Sequence, residues 1–115
     1  MVGCGYTGRR LLQLCREPVR DCAGTARSDE SLAQIRALGG HALRLDLDRP
    51  AARLPAEYCA GRGLVYMAPP PQAGATDPRL RNFLAALPAA PAKLVYLSTT
   101  AVYGDTGGAV VTEDT

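Results

Sequence analysis

The sequence has few of the residues on which metal-binding, nucleic-acid-binding and membrane proteins depend. It has one histidine, His41, and no C-x-x-C pair, so no recognisable zinc ligand set is present. Lysine occurs once, at Lys93, and no stripe of basic and aromatic residues suggests a nucleic-acid partner. There is no apolar run of 18 residues and no charged-then-apolar leader. We therefore expect a cytoplasmic protein that is neither inserted in a membrane nor secreted.

The remaining composition is that of an ordinary globular domain. Of 115 residues, 47% are hydrophobic and 21% are charged, and the formal net charge is +2. This length is enough for one domain with its own core, and small for a complete dinucleotide-dependent enzyme. We interpret the four cysteines as reduced thiols. The sequence predicts a single domain over residues 1–115.

Strand-like and helix-like segments alternate along the chain. The predicted strands are Met1–Gly3, Val19–Thr25, His41–Leu45, Leu64–Ala68 and Lys93–Ser98. The predicted helices are Thr7–Arg16, Glu30–Leu38, a short segment around Ala56–Ala60, and Pro78–Leu87. Such alternation is typical of a parallel, doubly wound sheet. We predict an α/β fold, a Rossmann-like doubly wound parallel sheet of about five strands that is truncated at both ends.

A G-x-G-x-x-G run stands at residues 3–8, between an apolar stub and an amphipathic helix. In a dinucleotide-binding turn Gly3 would allow a sharp bend, Gly5 would let the pyrophosphate approach, and Gly8 would let the helix pack closely. The N–H groups of Tyr6, Thr7 and Gly8 would face the phosphates at the helix N-terminus. The run predicts an NAD(P) site; a purely structural glycine-rich turn is the competing interpretation.

The residues after the second predicted strand favour NADP, with NAD as the alternative. NAD sites place a carboxylate there for the ribose 2′-hydroxyl, whereas NADP sites use arginine for the 2′-phosphate. Arg27 offers a guanidinium fork and Ser28 a hydroxyl and an N–H. A solvated surface arginine is the competing interpretation of Arg27. Asp46 is a candidate acceptor for the adenine amino group, or a cap for the next turn.

The segment Leu94–Asp105 closely resembles the strand and active-site loop of extended short-chain dehydrogenases/reductases. That group includes the NAD(P)-dependent sugar epimerases and dehydratases. The resemblance rests on Ser98-Thr99-Thr100 followed by Val102-Tyr103-Gly104, together with Gly24–Ser28 and Asp46-Leu47-Asp48. It extends over essentially the whole chain. The chain is most similar to atypical members that carry G-x-G-x-x-G.

The resemblance implies roles for particular residues. Thr99 would be catalytic, donating a hydrogen bond to the reacting substrate oxygen, and Met67, Ala68 and Pro69 would line the nicotinamide ribose. The complete set of predicted cofactor-binding residues is Gly3, Gly5, Tyr6, Thr7, Gly8, Arg27, Ser28, Asp46, Leu47, Met67, Ala68, Pro69 and Ser98. No metal ligand is predicted.

The Tyr-x-x-x-Lys motif, which supplies the acid/base tyrosine in this family, is absent from the chain. Tyr103 does not replace it, because the family's catalytic tyrosine lies farther along the chain. We therefore expect the NAD(P)-binding portion of an oxidoreductase or nucleotide-sugar epimerase/dehydratase, incomplete for catalysis, whose small-molecule substrate is not identified. A homodimer is compatible with the full-length form. The alternatives are a non-catalytic NADP(H)-binding regulatory module and a gene fragment without function.

Overall fold

The computed structural model describes residues 1–15, 21–50, 53–98 and 103–115 and has a mixed α/β fold. Its helices are α1 (Tyr6–Cys15), α2 (Asp29–Ala37) and α3 (Pro78–Ala86), with one 3-10 turn at Ala56–Tyr58. Its strands are β1 (Ala23–Ala26), β2 (His41–Arg44), β3 (Gly63–Tyr66) and β4 (Lys93–Tyr96). Each predicted helix end within the described ranges lies within two residues of the observed one.

The helix ends follow from local capping chemistry. Ser28 precedes α2, and its side-chain oxygen accepts a hydrogen bond from the Ser31 N–H at 3.2 Å. Asp77 caps α3 in the same way, accepting from the Leu80 N–H at 3.1 Å, and Pro78 occupies the first helical position. The predicted end of the first helix, Arg16, lies outside the described residues.

The predicted continuous five-strand sheet is wrong in its extent. Within the described ranges, β1 pairs with β2 and β3 pairs with β4, giving two parallel sheets of two strands each. The predicted first strand is reduced to one bridge between Val2 and Tyr66. Gly3 has a φ of 75°, a left-handed conformation that ends the extended backbone directly after Val2.

Residues 1–4 nevertheless hydrogen-bond to both small sheets. On the β3 side, the Val2 N–H donates to the Val65 carbonyl and the Met67 N–H to the Val2 carbonyl, both at 2.8 Å. On the β1 side, the Thr25 N–H donates to the Met1 carbonyl at 2.9 Å and the Cys4 N–H to the Thr25 carbonyl at 2.8 Å. The hydrogen-bonded order across the molecule is therefore β2, β1, residues 1–4, β3, β4.

Two apolar clusters lie on opposite faces of these strands. One contains Cys4, Leu12 and Ile35 and packs beneath α1 and α2. The other packs beneath α3 and contains Val2, Leu45, Leu47, Leu54, Cys59, Leu64, Tyr66 and Phe83. Along β2, Ala42 contacts the first cluster and Leu43 the second, as expected for side chains that alternate across a strand.

Candidate nucleotide cleft

A cleft with a volume of about 220 Å³ opens at the carboxyl ends of the parallel strands. Thr25 and Ala26 end β1, Leu45 follows β2, and Ala68 lies just beyond β3. The remaining lining residues are Gly3, Cys4, Gly5, Arg27, Ser31, Leu47, Asp48, Pro69 and Arg79. Gly3 and Gly5 of the glycine run therefore line this cleft, together with Arg27, Arg79 and the carboxylate of Asp48.

Gly3 lies in a turn that lines the cleft, and neighbouring residues contact it from two sides. A Cβ at Gly3 would lie 2.6 Å from the Ala68 nitrogen, closer than side-chain atoms approach a backbone. On the other side, the Gly3 N–H donates to Oγ1 of the buried Thr25 at 3.0 Å. Only glycine combines this φ with this approach to Ala68.

Gly5 and Gly8 differ in what surrounds them. A Cβ at Gly5 would meet no atom within 4 Å, so Gly5 faces the open cleft. A Cβ at Gly8 would lie 3.1 Å from the Cys4 Sγ and from the Met67 Cε, so α1 packs closely at this point. Since α1 begins at the exposed Tyr6 and Thr7, the N–H groups of its first turn have no acceptor within the helix.

Three charged side chains meet at the rim of the cleft. The Arg79 Nε donates to Asp48 Oδ1 at 2.8 Å, and the Arg79 Nη1 donates to the Pro69 carbonyl at 3.0 Å. The Arg27 Nη1 lies 3.2 Å from Asp48 Oδ2. The hydrogen bond from Arg79 holds the pKa of the Asp48 carboxyl below its usual value, so Asp48 is ionised at neutral pH.

The structure places part of the predicted cofactor site together. Gly3, Gly5, Arg27, Leu47, Ala68 and Pro69 line the cleft. Tyr6, Thr7, Gly8 and Met67 lie next to this turn without lining the cleft, and Ser98 is exposed beyond β4. Thr99, the predicted catalytic residue, lies outside the described residues. The assignment of all these residues to a cofactor stays a prediction.

No family model, curated protein or solved structure matches the chain. The chemistry of the cleft therefore rests on its own residues. In the described part of the chain, no three His, Cys, Asp or Glu side chains are grouped so that they could hold a metal ion. Of the helices in the described ranges, none has the length and apolar character required to cross a membrane.

Two predicted ligand residues use their side chains locally. Ser28 does not line the cleft, and its Oγ accepts the hydrogen bond from the Ser31 N–H that caps α2. Asp46 accepts from the Asp48 N–H at 3.0 Å through Oδ1, and its Oδ2 lies 3.6 Å from the Arg49 Nε. Its carboxylate thus stabilises the turn after β2, which was the alternative role predicted for it.

Sequence reasoning missed several lining residues, notably Thr25, Ser31, Asp48 and Arg79. Asp48 and Arg79 lie 31 residues apart, so no local pattern connects them. One signal was available for Arg79: it lies in the first turn of the helix after a parallel strand, and ligands of open α/β sheets bind at that edge.

Two further titratable groups near the cleft are unsuited to proton transfer or nucleophilic attack at neutral pH. Burial, assisted by the nearby Asp77, raises the pKa of Tyr66 to about 12, and its ring packs 4.9 Å from that of Phe83. Burial also raises the pKa of the Cys4 thiol. Tyr66 is therefore a core residue, and Cys4 remains a protonated, weakly nucleophilic thiol.

Proposed function

We propose that the chain is the NADP-binding portion of a short-chain dehydrogenase/reductase-type oxidoreductase or nucleotide-sugar epimerase/dehydratase. One observation carries the proposal: the Gly3–Gly5 turn lies in a cleft at the carboxyl ends of parallel strands, directly before the N-terminus of α1. Ligands of open α/β sheets bind at this edge, and pyrophosphates bind at such helix N-termini.

The order of the strands supports a Rossmann-like arrangement. Residues 1–4 form only one bridge, but the hydrogen-bonded order β2, β1, residues 1–4, β3, β4 agrees with the first five positions of the 3-2-1-4-5-6 order of the dinucleotide-binding fold. The apolar clusters on opposite faces, with α1 and α2 on one and α3 on the other, agree with a doubly wound sheet. The glycine turn follows the central member of this order, as the proposal requires.

The lining residues fit the adenosine side of NADP. A volume of about 220 Å³ is below the roughly 300–1,000 Å³ of complete small-molecule pockets, so it suits part of a dinucleotide. Gly5 and the first turn of α1 would bind the pyrophosphate, Leu45 and Leu47 would pack against the base, and Arg27 would pair with the 2′-phosphate. When bound, NADPH supplies a hydride to a substrate; these residues hold and orient it.

A second candidate is a non-catalytic NADP(H)-binding regulatory module, which would hold NADPH in the same cleft without hydride transfer. Both candidates require NADPH to bind in the same cleft. The two candidates differ in whether the protein turns over a substrate, and a binding measurement does not report on turnover. Binding is therefore the property to test first.

Substitution Arg27→Gln is expected to weaken NADPH binding about tenfold and to leave NADH binding nearly unchanged. The Arg27 side chain is 64% exposed, which places its charge-assisted bond to the phosphate at the lower end of the usual range. Isothermal titration calorimetry of the 115-residue chain with both nucleotides measures this.

The matched control is Arg81→Gln, which removes the same charge from an exposed arginine of α3 that does not line the cleft. It is expected to bind NADPH as the unmodified chain does. Failure of the unmodified chain to bind either nucleotide would reject both candidate functions. An equal loss of NADPH and NADH binding in Arg27→Gln would reject the role of Arg27 at the 2′-phosphate.

A further inference from the structure

Asp48 lies between two guanidinium groups at the rim of the cleft. Its Oδ1 accepts from the Arg79 Nε at 2.8 Å, and its Oδ2 lies 3.4 Å from the Arg79 Nη2 and 3.2 Å from the Arg27 Nη1. Arg27, Asp48 and Arg79 therefore form a cluster with two positive charges and one negative charge. One guanidinium of this rim cluster has its charge only partly compensated.

The two arginines are held unequally. Arg79 contacts both carboxylate oxygens of Asp48 and the carbonyl of Pro69, and its side chain is 22% exposed. Arg27 contacts Asp48 through one nitrogen only, and its side chain is 64% exposed. An anion that enters the cleft can therefore take Arg27 from Asp48, whereas Arg79 stays in place.

We propose that Asp48 is a specificity-determining residue of the nucleotide site, because it competes with the 2′-phosphate of NADP for the Arg27 guanidinium. This inference rests on the proposed function. Asp48 does not compete with the 2′-hydroxyl of NAD in this way, because that hydroxyl does not require the Arg27 guanidinium. Asp48 thus reduces the preference of the cleft for NADP over NAD.

The rim cluster permits this exchange without leaving a charge unpaired. When Arg27 turns to the phosphate, Asp48 keeps both bonds from Arg79. The exchange replaces an exposed ion pair, which stabilises by little, with a pair to a doubly charged phosphate. Breaking the contact between Arg27 and Asp48 weakens the binding only of ligands that pair with Arg27. It therefore changes the affinity ratio between 2′-phosphorylated and unphosphorylated nucleotides.

Substitution Asp48→Asn tests the inference, because it removes the charge and keeps the shape of a half-exposed side chain. We expect it to strengthen binding of 2′,5′-ADP roughly two- to fivefold, the range given by an exposed ion pair. Binding of 5′-AMP is expected to stay unchanged. In an Arg27→Gln background the effect of Asp48→Asn on 2′,5′-ADP is expected to disappear. Calorimetric titration of the four proteins with both nucleotides measures the cycle.

Asp21→Asn is the matched control, since Asp21 is also a half-exposed carboxylate paired with an arginine, Arg62, and does not line the cleft. If Asp21→Asn strengthened binding of 2′,5′-ADP equally, the effect would come from the change in net charge, and the inference would be overturned. Unchanged or weaker binding of 2′,5′-ADP in Asp48→Asn, or a gain that persists without Arg27, would also overturn it. If the unmodified chain binds neither nucleotide, the proposed function itself fails, which is a distinguishable result.

Discussion

Substitution Gly3→Ala is expected to lower the free energy of unfolding by about 3 kcal/mol or more. The new Cβ would lie 2.6 Å from the nitrogen and 2.7 Å from the Cα of Ala68. Moving Gly3 or Ala68 apart would break hydrogen bonds, because the Met67 N–H donates to the Val2 carbonyl and the Gly3 N–H donates to the Thr25 Oγ1. To this clash is added the left-handed φ of 75°, which alone costs an alanine about 1–2 kcal/mol.

The measurement is urea unfolding followed by circular dichroism, and Gly61→Ala is its matched control. Gly61 has a φ of 68°, close to that of Gly3, but a Cβ there would meet no atom within 4 Å. Gly61→Ala should therefore show the backbone cost alone. Equal losses of stability in the two variants would mean that Gly3 does not approach Ala68 as closely as described. Since domains are stable by only about 5–15 kcal/mol, the difference is large enough to measure.

Substitution Gly5→Ala is expected to weaken NADPH binding at least about tenfold while changing stability little. Gly5 does not have a positive φ, and its Cβ would enter open space within the cleft. The added methyl group costs the fold little, but it occupies the place where the backbone must approach the pyrophosphate. Calorimetric titration with NADPH gives the affinity, and thermal unfolding gives the stability of the same variant.

Gly63→Ala is the control for this variant. It also adds a methyl group in open space at an ordinary φ, but it lies at the start of β3, outside the cleft lining. It is expected to bind NADPH as the unmodified chain does. If Gly5→Ala bound NADPH with the affinity of Gly63→Ala, the pyrophosphate would not lie against Gly5, and the glycine run would be only a structural turn.

Helices were predicted well because their signals are local. Ser28 before α2 and Asp77-Pro78 at the start of α3 place capping oxygens three residues from the N–H groups they bond, a spacing visible in the sequence. Strand extent depends on distant partners, and the strands predicted at Leu64–Ala68 and Lys93–Ser98 each end two residues beyond the observed β3 and β4. Residues of β4 are exposed throughout, including Leu94 at 39% and Val95 at 49%, which the apolar run alone does not indicate.

In the candidate site too, local features were predicted and contacts between distant residues were not. The glycine run and Arg27 were found because single residues carry their chemistry, whereas the contact of Asp48 with Arg79 depends on chain segments 31 residues apart. The Ser28 Oγ accepts a hydrogen bond from the Ser31 N–H, which leaves the hydroxyl proton available to a phosphate, so its role in binding a phosphate stays a prediction.

Nucleotide binding at the glycine turn is tested most directly by titrating the ¹⁵N-labelled chain with NADPH and following the amide resonances of individual residues. We expect the largest shifts at Gly3, Gly5 and Ala68, which line the cleft, and unchanged resonances at Gly63 and Lys93, which lie at the amino ends of β3 and β4. Resonances that do not move at saturating NADPH, or shifts confined to residues outside the cleft, would contradict a nucleotide site at the glycine turn.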